Sequence, residues 1–397
     1  MAEVKRSKER ILFLYLSTGA GHVSAARALA DAIRERHGPD EVEVYLLDGI
    51  PRGNKFQRSI VEKGYMYMSA RFPLLWTGVY ELTRFPVVMH LQTAPMTNNS
   101  WKHIERFIEE KQITRIVVLH FLLIRSIARI FRRRKKPMPA LTIVTDPFTV
   151  HPIWFFRQFM PVVVFSAMAK QVACRRYGYP SELVRILPPV LNRKYNATLD
   201  PDRVRELKLQ YGFDPAKKLL LMVGGGEGLP RGSLFLKAVR KQGTDVEIAF
   251  VCGKNDELKR AAERVAAKFP LTTTRIYGFV DFLYELMNMA DLVVAKAGPA
   301  TVLETLILGK PLILTKYIYG QERGNMEYVV RNKLGYFITD PERLARRVDR
   351  LITNPGELVA LDRHIQETSI RNGTEAIADY IMTFEAQYEY PTLISMK

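Results

Sequence analysis

The feature of this sequence that most constrains its fold is a repeated order: a short apolar run, a turn of small residues, and a helix-forming stretch. Residues 11–16 are apolar throughout, Gly19-Ala20-Gly21-His22 follows, and an Ala-rich helix is predicted over residues 24–36. Strands that are apolar at every position are buried on both faces, as in parallel sheets covered by helices. The repeated order therefore predicts an α/β fold.

Two series of such units are present. In the first, the predicted strands are residues 11–16, 42–47, 116–120, 141–145 and 162–166, and a further helix covers residues 170–177. In the second, the predicted strands are residues 219–223, 246–251, 275–277, 292–295 and 311–315, with helices over residues 233–242, 256–268 and 301–308.

The stretch between the two series, residues 188–215, contains four prolines and little apolar periodicity. We therefore expect a first domain over residues 1–195, a linker over 196–215 and a second domain over 216–375, with a C-terminal helix in 376–397 that packs back on the first domain. Two doubly wound domains of this kind bind ligands at the carboxyl ends of their strands, in the cleft between them.

The positive charge of the chain is concentrated in one region. The formal net charge of the 397 residues is +18, and residues 51–200 alone contain 24 basic and 8 acidic side chains. Such a region indicates an anionic partner: nucleic acid, an anionic membrane surface or a phosphorylated ligand. No recognition-helix, zinc or aromatic-sheet signature accompanies the charge, so nucleic acid is not expected.

Cysteine content and hydropathy limit the cellular setting. The only cysteines are Cys174 and Cys252, which excludes a disulfide framework and a four-cysteine metal site and fits a reducing compartment. No uncharged apolar stretch reaches 18 residues, so no transmembrane helix is predicted. We expect a protein that is in the cytoplasm or on a membrane surface.

The turn Gly19-Ala20-Gly21-His22 is the first candidate site. Small residues let a ligand approach the backbone, and the N-terminus of the following helix attracts anions. The imidazole of His22 can accept a proton near neutral pH. A tight turn with a capping histidine fits the same spacing, and both interpretations stay open.

Three motifs of the second series are candidate ligand-binding sites. Gly224-Gly225-Gly226-Glu227-Gly228 offers a nest of N–H groups to a pyrophosphate, which we favour over a structural loop. In residues 296–304, Thr301 is a candidate helix cap and Glu304 a candidate acceptor for two ribose hydroxyls; a capping box of these two residues is the alternative. In residues 320–325, the amide and carboxylate of Gln321 and Glu322 can bind sugar hydroxyls.

Residues 58–92 combine aromatic, methionine and basic side chains, which suits a membrane interface as well as a core helix pair. The members that we single out are Tyr65, Arg71, Phe72, Trp76 and Arg84. The run of five basic residues at 132–136 is predicted to be a solvated loop that adds to the membrane interpretation.

With these motifs in this order, the chain resembles the diacylglycerol glycosyltransferases related to monogalactosyldiacylglycerol synthase and to the bacterial processive glucosyltransferases, distant relatives of the enzyme that forms lipid II. The resemblance covers residues 11–370. Its carriers are Ser17-Thr18-Gly19-Ala20-Gly21-His22, Val144-Thr145-Asp146-Pro147-Phe148-Thr149-Val150-His151-Pro152-Ile153-Trp154, Gly224-Gly225-Gly226-Glu227-Gly228, the stretch from Lys296 to Glu304, and Gly320-Gln321-Glu322-Arg323-Gly324-Asn325.

The resemblance implies a GT-B fold, in which two Rossmann-like domains with parallel sheets face each other across a cleft. It implies transfer of a hexose, glucose or galactose, from a UDP-sugar to diacylglycerol with inversion. His22 would be the catalytic base or its close partner, and Asp146 is our second choice for the base or for orienting His22. Glu304 would bind the ribose, and Gln321 with Glu322 the hexose.

The expected positions fall into two further groups. Donor contacts are expected at Gly21, Gly225, Gly226, Glu227, Lys296, Gly298, Pro299, Ala300, Thr301, Glu304, Gln321, Glu322 and Asn325. Acceptor or membrane contacts are expected at Tyr65, Arg71, Phe72, Trp76, Arg84, His151 and Trp154.

We expect no cofactor and no metal, because glycines and helix N-termini would bind the diphosphate. The expected partners are UDP-hexose, diacylglycerol and an anionic membrane surface, at the cytoplasmic face of the cell membrane. The alternatives are a UDP-sugar glycosyltransferase with a polyprenyl-linked or soluble acceptor, and a cationic membrane- or nucleic-acid-binding protein without catalysis.

Overall fold

The structure is a computed structural model. It describes residues 8–17, 20–51, 53, 72–85, 87–88, 91, 100–134 and 138–385. The chain divides into two compact units: the first comprises residues 1–193, 319–321 and 372–397, and the second comprises residues 194–318 and 322–371. The chain therefore returns to the first unit after it has completed the second.

The first unit contains a sheet of six parallel strands in the order β2-β1-β3-β4-β5-β6. The strands are β1 (Glu9–Tyr15), β2 (Val42–Asp48), β3 (Arg115–Val118), β4 (Ala140–Ile143), β5 (Val162–Val164) and β6 (Val184–Ile186). β1 lies between β2 and β3, with Leu12 in register with Tyr45 on one side and Ile116 on the other. The carboxyl ends of β1, β3 and β4 are consequently neighbours at one edge of the sheet.

Helices cover this sheet. They are α1 (Ala20–Arg36), α2 (Pro73–Leu82), α3 (Ser100–Glu110), α4 (Phe121–Arg134), α5 (Ala167–Gln171), which continues into a π-helical turn (Val172–Arg176), and the C-terminal α14 (Thr374–Thr383). Short 3-10 turns lie at Pro152–Phe155, Ser181–Leu183 and Arg193–Asn196. α1 and α14 pack on each other, and Leu29, Ile33 and Ile377 share one buried cluster with the sheet residue Phe13.

The second unit contains a second sheet of six parallel strands, in the order β12-β11-β10-β7-β8-β9. The strands are β7 (Leu219–Val223), β8 (Glu247–Val251), β9 (Thr274–Tyr277), β10 (Leu292–Ala295), β11 (Leu312–Leu314) and β12 (Gly335–Phe337). β7 and β8 are buried at every position, as their uninterrupted apolar sequences require. The carboxyl ends of β7, β10 and β11 lie side by side.

The helices of the second unit are α6 (Pro201–Gln210), α7 (Gly232–Gln242), α8 (Asp256–Ala266), α9 (Leu283–Met289), α10 (Pro299–Ile307), α11 (Arg323–Arg331), α12 (Pro341–Thr353) and α13 (Pro355–Glu367). α7 packs along α12. On α12 the buried residues Leu344, Ala345, Val348 and Leu351 recur at helical spacing, which places its apolar side toward the sheet.

The predicted fold class, an α/β fold with two parallel sheets, is confirmed. The sequence prediction missed two short edge strands, β6 and β12. The expected linker also contains α6, which packs on α9 in the second unit and buries Leu207. The run 132–136, expected as a loop, begins as the last turn of α4; its residues 135 and 136 lie outside the described part of the chain.

Within the described residues, none of the helices is both long enough and apolar enough to cross a bilayer. The expected acceptor and membrane residues Tyr65 and Arg71 lie outside the described residues, as do Thr18 and Gly19 of the first glycine turn.

Candidate active site

His22 is held at the carboxyl edge of the first sheet. α1 begins at Ala20, four residues before the predicted helix start at Ser24. Gly21 and His22 therefore lie in the first turn of the helix and not in a loop. The imidazole Nδ1 lies 2.9 Å from Oγ1 of Thr145, which follows β4. Burial lowers the pKa of His22 to about 4, partly offset by a hydrogen bond to the backbone of Leu119, so the ring is neutral at pH 7.

A second histidine, His120, lies against His22. The two ring centroids are 4.7 Å apart, because β1 and β3 are adjacent and each is followed by a histidine at its carboxyl end. His120 Nδ1 accepts a hydrogen bond of 3.3 Å from the Leu122 N–H at the start of α4. Burial and the neighbouring His22 both lower the pKa of His120 well below its usual range. His120 was not predicted as part of the site, although its position at the end of an apolar strand was a signal.

Asp146 is oriented by Trp154. The indole Nε1 donates a hydrogen bond of 2.9 Å to Oδ2 of Asp146, and Oδ1 has no hydrogen-bond partner among the described residues. Burial raises the pKa of Asp146 to about 6, while the bond from Trp154 acts in the opposite direction. Asp146 is therefore mostly ionised at pH 7 and has one oxygen available to accept a proton.

Asp146 was expected to orient His22, but the two side chains form no hydrogen bond with each other. The His22 Nδ1 pairs with Oγ1 of Thr145 instead. Trp154 was expected on the acceptor or membrane side, but its side chain is almost completely buried and contacts Phe121 with ring centroids 5.5 Å apart. Its indole N–H instead holds the Asp146 carboxylate by a hydrogen bond.

His151 lies in a buried cluster with α2. Its Nε2 is 3.2 Å from Oγ1 of Thr83, its ring packs edge-on against Tyr80 at 4.7 Å, and Nδ1 accepts a bond from the Ile153 N–H. Burial lowers the pKa of His151 to about 4. His151 is thus neutral at pH 7 and supports the packing of α2.

Tyr80 also binds the segment 319–321, which belongs to the first unit. Its hydroxyl donates a hydrogen bond of 3.1 Å to the carbonyl oxygen of Gly320. A Cβ at Gly320 would lie 2.5 Å from the Tyr80 ring, and the φ of Gly320 is +82°, so only glycine fits. The expected pair Gln321 and Glu322 is consequently divided: Gln321 clusters with the first unit and Glu322 with the second.

α2 and the residues on either side of it carry a group of exposed apolar side chains. Trp76 is half-buried, and Arg84 forms an ion pair of 2.7 Å with Glu81. The exposed apolar residues of this segment are Phe72, Leu75, Leu82, Phe85, Val87 and Leu91. Such a concentration of exposed apolar groups is typical of a surface that binds a membrane or a partner.

The glycine loop after β7 is a tight turn. The Gly228 N–H donates a hydrogen bond of 3.0 Å to the Gly225 carbonyl. Both residues have a φ of +74°, a backbone conformation that favours glycine, so the turn itself accounts for glycine at these two positions. Gly226 differs, because a Cβ there would meet nothing within 4 Å. Gly226 and Glu227 are exposed, so this part of the loop is open to a ligand.

α10 begins beside Lys296 with an uncapped N-terminus. Gly298 is its N-cap residue and supplies no side-chain hydrogen bond, and Pro299 is the first helical residue. The expectation that Thr301 caps the helix is therefore wrong, because the helix begins two residues earlier. The first-turn N–H groups of Ala300 and Thr301 precede the first helical bond, from Val302 to Gly298, and are suited to an anion.

Lys296 lies between this helix and the glycine loop. A Cβ at Gly225 would be 3.8 Å from its Cε, and its ammonium forms an ion pair of 2.6 Å with Oε1 of Glu322. Oε2 of Glu322 accepts a bond of 2.8 Å from the Ile318 N–H. Both carboxylate oxygens of the buried Glu322 are thus engaged within the protein, rather than open to a hexose as expected.

Glu304 lies one turn into α10 and faces Lys194 and Tyr195. Burial raises the pKa of Glu304 to about 7, and the nearby Lys194 and a hydrogen bond with Tyr195 act in the opposite direction. Tyr195 is almost completely buried. Neither residue was predicted as part of the site, because residue 195 was assigned to the end of the other domain.

Asn325 completes this group. Its Nδ2 donates a hydrogen bond of 2.9 Å to the Ala297 carbonyl, whereas its Oδ1 is buried and has no hydrogen-bond partner among the described residues. An unpartnered buried acceptor is costly unless a donor arrives. Within the described parts of the chain, no group of three or more His, Cys, Asp or Glu residues could hold a metal ion.

Comparison with known families follows the division into units. Residues 220–377 match the glycosyltransferase family 28 C-terminal domain, and residues 22–187 match monogalactosyldiacylglycerol (MGDG) synthase. The first unit is therefore similar to the MGDG synthases, and the second to the C-terminal domain of family 28 glycosyltransferases. The resemblance expected from the sequence is thereby confirmed, and it extends over both units.

One similar protein is the chloroplastic monogalactosyldiacylglycerol synthase of Spinacia oleracea. It is 28% identical over 359 residues, which cover 87% of this chain and 66% of the spinach protein. The chain thus spans slightly less than two thirds of the length of that relative.

Solved structures confirm the GT-B fold. MurG of Acinetobacter baumannii superposes with a TM-score of 0.63 at 13% identity, over 95% of this chain and 100% of that one. WaaG, a glycosyltransferase involved in lipopolysaccharide biosynthesis, superposes with a TM-score of 0.60 at 14% identity, over 94% of this chain and 100% of that one.

Proposed function

We propose that this protein is an inverting glycosyltransferase that transfers a hexose from a UDP-sugar to diacylglycerol and so forms a membrane glycolipid. The observation that carries the proposal is the Asp146 carboxylate, which has a pKa of about 6, one oxygen held by Trp154 and the other available. The similarity to monogalactosyldiacylglycerol synthases supports a hexose donor and a diacylglycerol acceptor.

The UDP diphosphate is proposed to bind at the start of α10. The N–H groups of Ala300 and Thr301, the ammonium of Lys296 and the open backbone at Gly226 supply donors and positive charge to an anion. We expect these groups to neutralise the diphosphate without a metal ion and without a cofactor.

The nucleoside and hexose are assigned to the residues beside this anion site. Glu304 accepts hydrogen bonds from the ribose hydroxyls with the oxygen that Tyr195 does not occupy. Asn325 uses its unpartnered Oδ1, and Gln321 its amide, to bind hexose hydroxyls. Glu322 contributes through Lys296, since its own oxygens already have protein partners.

The chemical step is a single displacement. The lipid hydroxyl oxygen forms a bond to the anomeric carbon as the bond from that carbon to the diphosphate oxygen breaks, and UDP leaves with the electron pair. The hydroxyl proton passes to Oδ1 of Asp146. A base with a pKa near the working pH is the more effective one, which favours Asp146, at about 6, over His22, at about 4. His22 is the alternative base.

Diacylglycerol resides in bilayers, so the proposal includes membrane docking. The exposed apolar residues of the segment 72–91 and the excess of basic residues over 51–200 together suit an anionic interface. We propose a peripheral location at the cytoplasmic face of the cell membrane.

A donor and acceptor screen tests the function. The protein is incubated with labelled UDP-glucose or UDP-galactose over anionic vesicles that contain diacylglycerol, and lipid-extractable label is measured. A labelled glycolipid from one donor is expected and identifies the hexose. Product only with a polyprenyl-linked or soluble acceptor would overturn the lipid assignment. No product with any donor and acceptor would favour a non-catalytic binding protein.

A further inference from the structure

The second unit contains a cavity that shares no residue with the proposed donor site. It has a volume of about 450 Å³ and is lined by residues 337–340 together with Arg343, Arg346, Arg347 and Arg350 of α12. Phe337 is the last residue of the edge strand β12, and residues 338–340 connect this strand to α12. A volume of this size lies in the range of small-molecule sites.

The lining of this cavity is strongly cationic. Four of the eight lining residues are arginines, and the only acidic residue among the eight is Asp340. Asp340 is the N-cap of α12, and its Oδ1 accepts a hydrogen bond of 2.8 Å from the Arg343 backbone N–H. Its negative charge lies at the positive end of the helix, and the lining keeps an excess of arginines over acidic residues.

Two of the arginines share a second carboxylate. Glu357 of α13 forms an ion pair of 3.4 Å with Arg347 and also pairs with Arg350. Arg347 lies over the Tyr336 ring at 4.3 Å. These contacts fix two guanidinium groups in place before any ligand arrives.

The other two arginines have no such partner. Among the described residues, no hydrogen bond or ion pair is formed by the side chains of Arg343 and Arg346, both of which are exposed. Arg343 and Arg347, like Arg346 and Arg350, are four residues apart on the helix, a spacing at which like charges repel. An anion in the cavity would relieve this repulsion.

We propose that this arginine cavity is a binding site for a phosphate group of a small molecule or of a lipid headgroup. Guanidinium forks match phosphate oxygens in a bidentate manner. Arg343 and Arg346 supply the unpaired donors, and the pre-positioned Arg347 and Arg350 extend the site. Phe337 and Ile338 line the same cavity and offer apolar contact to a further group of the ligand.

The test compares binding by the wild type with binding by the double variant Arg343→Ala, Arg346→Ala. The matched control is Arg260→Ala, Arg264→Ala on α8, which removes the same charge from two other exposed arginines of the same unit. Inorganic pyrophosphate, titrated calorimetrically in excess UDP, represents a soluble phosphate compound. Vesicles of phosphatidylcholine with phosphatidic acid, in a sedimentation assay, represent a lipid headgroup.

We expect the cavity variant to weaken binding of at least one probe by tenfold or more while the control stays close to the wild type. The probe that loses binding identifies the soluble or the lipid source. Equal binding of both probes by all three proteins overturns the proposal, and so does an equal loss in both double variants, which would indicate general electrostatic attraction. The variant Arg343→Lys, Arg346→Lys should recover only part of the affinity, because an ammonium lacks the fork.

Discussion

The indole of Trp154 and the carboxylate of Asp146 are joined by a hydrogen bond of 2.9 Å from Nε1 to Oδ2. This bond orients the carboxylate and opposes the rise in its pKa that burial causes. A residue that the sequence suggested as an acceptor or membrane contact therefore helps to keep the proposed base ionised.

Replacing Trp154 with Phe is expected to move the acidic limb of the pH–rate profile toward higher pH. Ionised Asp146 is the active form, so wild-type activity should rise with pH through about 6. Loss of the hydrogen bond disfavours the carboxylate and raises its pKa further. The profile of kcat/KM from pH 5 to pH 9 measures this, and a limb in the same place in both proteins would contradict the role of Trp154.

Asp146→Asn should reduce turnover by ~10²–10⁴-fold, the usual contribution of a general base, while the affinity for UDP stays unchanged. The amide is nearly isosteric and keeps an oxygen that can accept from Trp154. His22→Ala is the companion variant. If His22 were the base instead, its variant would show the larger loss and the wild-type limb would lie near pH 4.

Glu304→Gln should stabilise the protein more at pH 8 than at pH 5. Because the folded-state pKa of Glu304 is raised from 4.5 to about 7, the folded protein binds more protons than the unfolded chain between these values. The contribution of Glu304 to stability therefore falls as pH rises through this window. Glutamine does not titrate, so the difference in Tm between variant and wild type should grow from pH 5 to pH 8; a constant difference would refute the assignment.

Gly226→Ala and Gly228→Ala should separate ligand binding from folding within one loop. A Cβ at Gly226 meets nothing within 4 Å, whereas a Cβ at Gly228 would lie 2.5 Å from the Cys252 carbonyl oxygen, at a φ of +74°. We expect Gly228→Ala to lower the free energy of unfolding by at least ~1 kcal/mol. Gly226→Ala should keep its stability and raise the donor KM by about tenfold, because a methyl group would fill space reserved for the diphosphate. An unchanged KM would mean that the diphosphate does not approach Gly226.

Leu75→Ser with Leu82→Ser should weaken binding to anionic vesicles by at least tenfold. The two leucines lie seven residues apart on α2 and are exposed, and each leucine that enters the bilayer contributes roughly 1.5–3 kcal/mol. Leu209→Ser with Leu271→Ser, two exposed leucines of the second unit, is the control. Vesicle sedimentation at low and high salt measures the effect. Equal losses in the two pairs would place the docking surface elsewhere.

Strand composition made much of the fold predictable. β7 and β10 begin and end where the apolar runs do, because a strand buried on both faces needs an apolar residue at every position. β12 escaped prediction, since it has only three residues and two of them are half-buried at the sheet edge. α6 was predicted to be part of the linker because most of its ten residues are polar and few of them are buried.

The candidate site was predictable where one residue lies at a strand end and less so where distant segments meet. His22 and Asp146 follow strands, and their positions could be derived from that pattern. Contacts such as His120 on His22, or Tyr195 on Glu304, depend on strand order and on the chain path between units. The sequence of a loop also does not reveal which side chains pair with each other. Both carboxylate oxygens of Glu322 are bound within the protein, by Lys296 and by the Ile318 N–H.

The return of the chain to the first unit has a consequence for biosynthesis. Ile377 and Ile381 of α14 belong to the same buried cluster as Phe13 and Leu29, so the earliest part of the chain cannot complete its core until the last turns have been translated. All residues of the second unit have been translated by position 371. The second unit is therefore free to fold before the core of the first unit is complete. Truncation near the C-terminus should therefore damage the unit made first and spare the one made later.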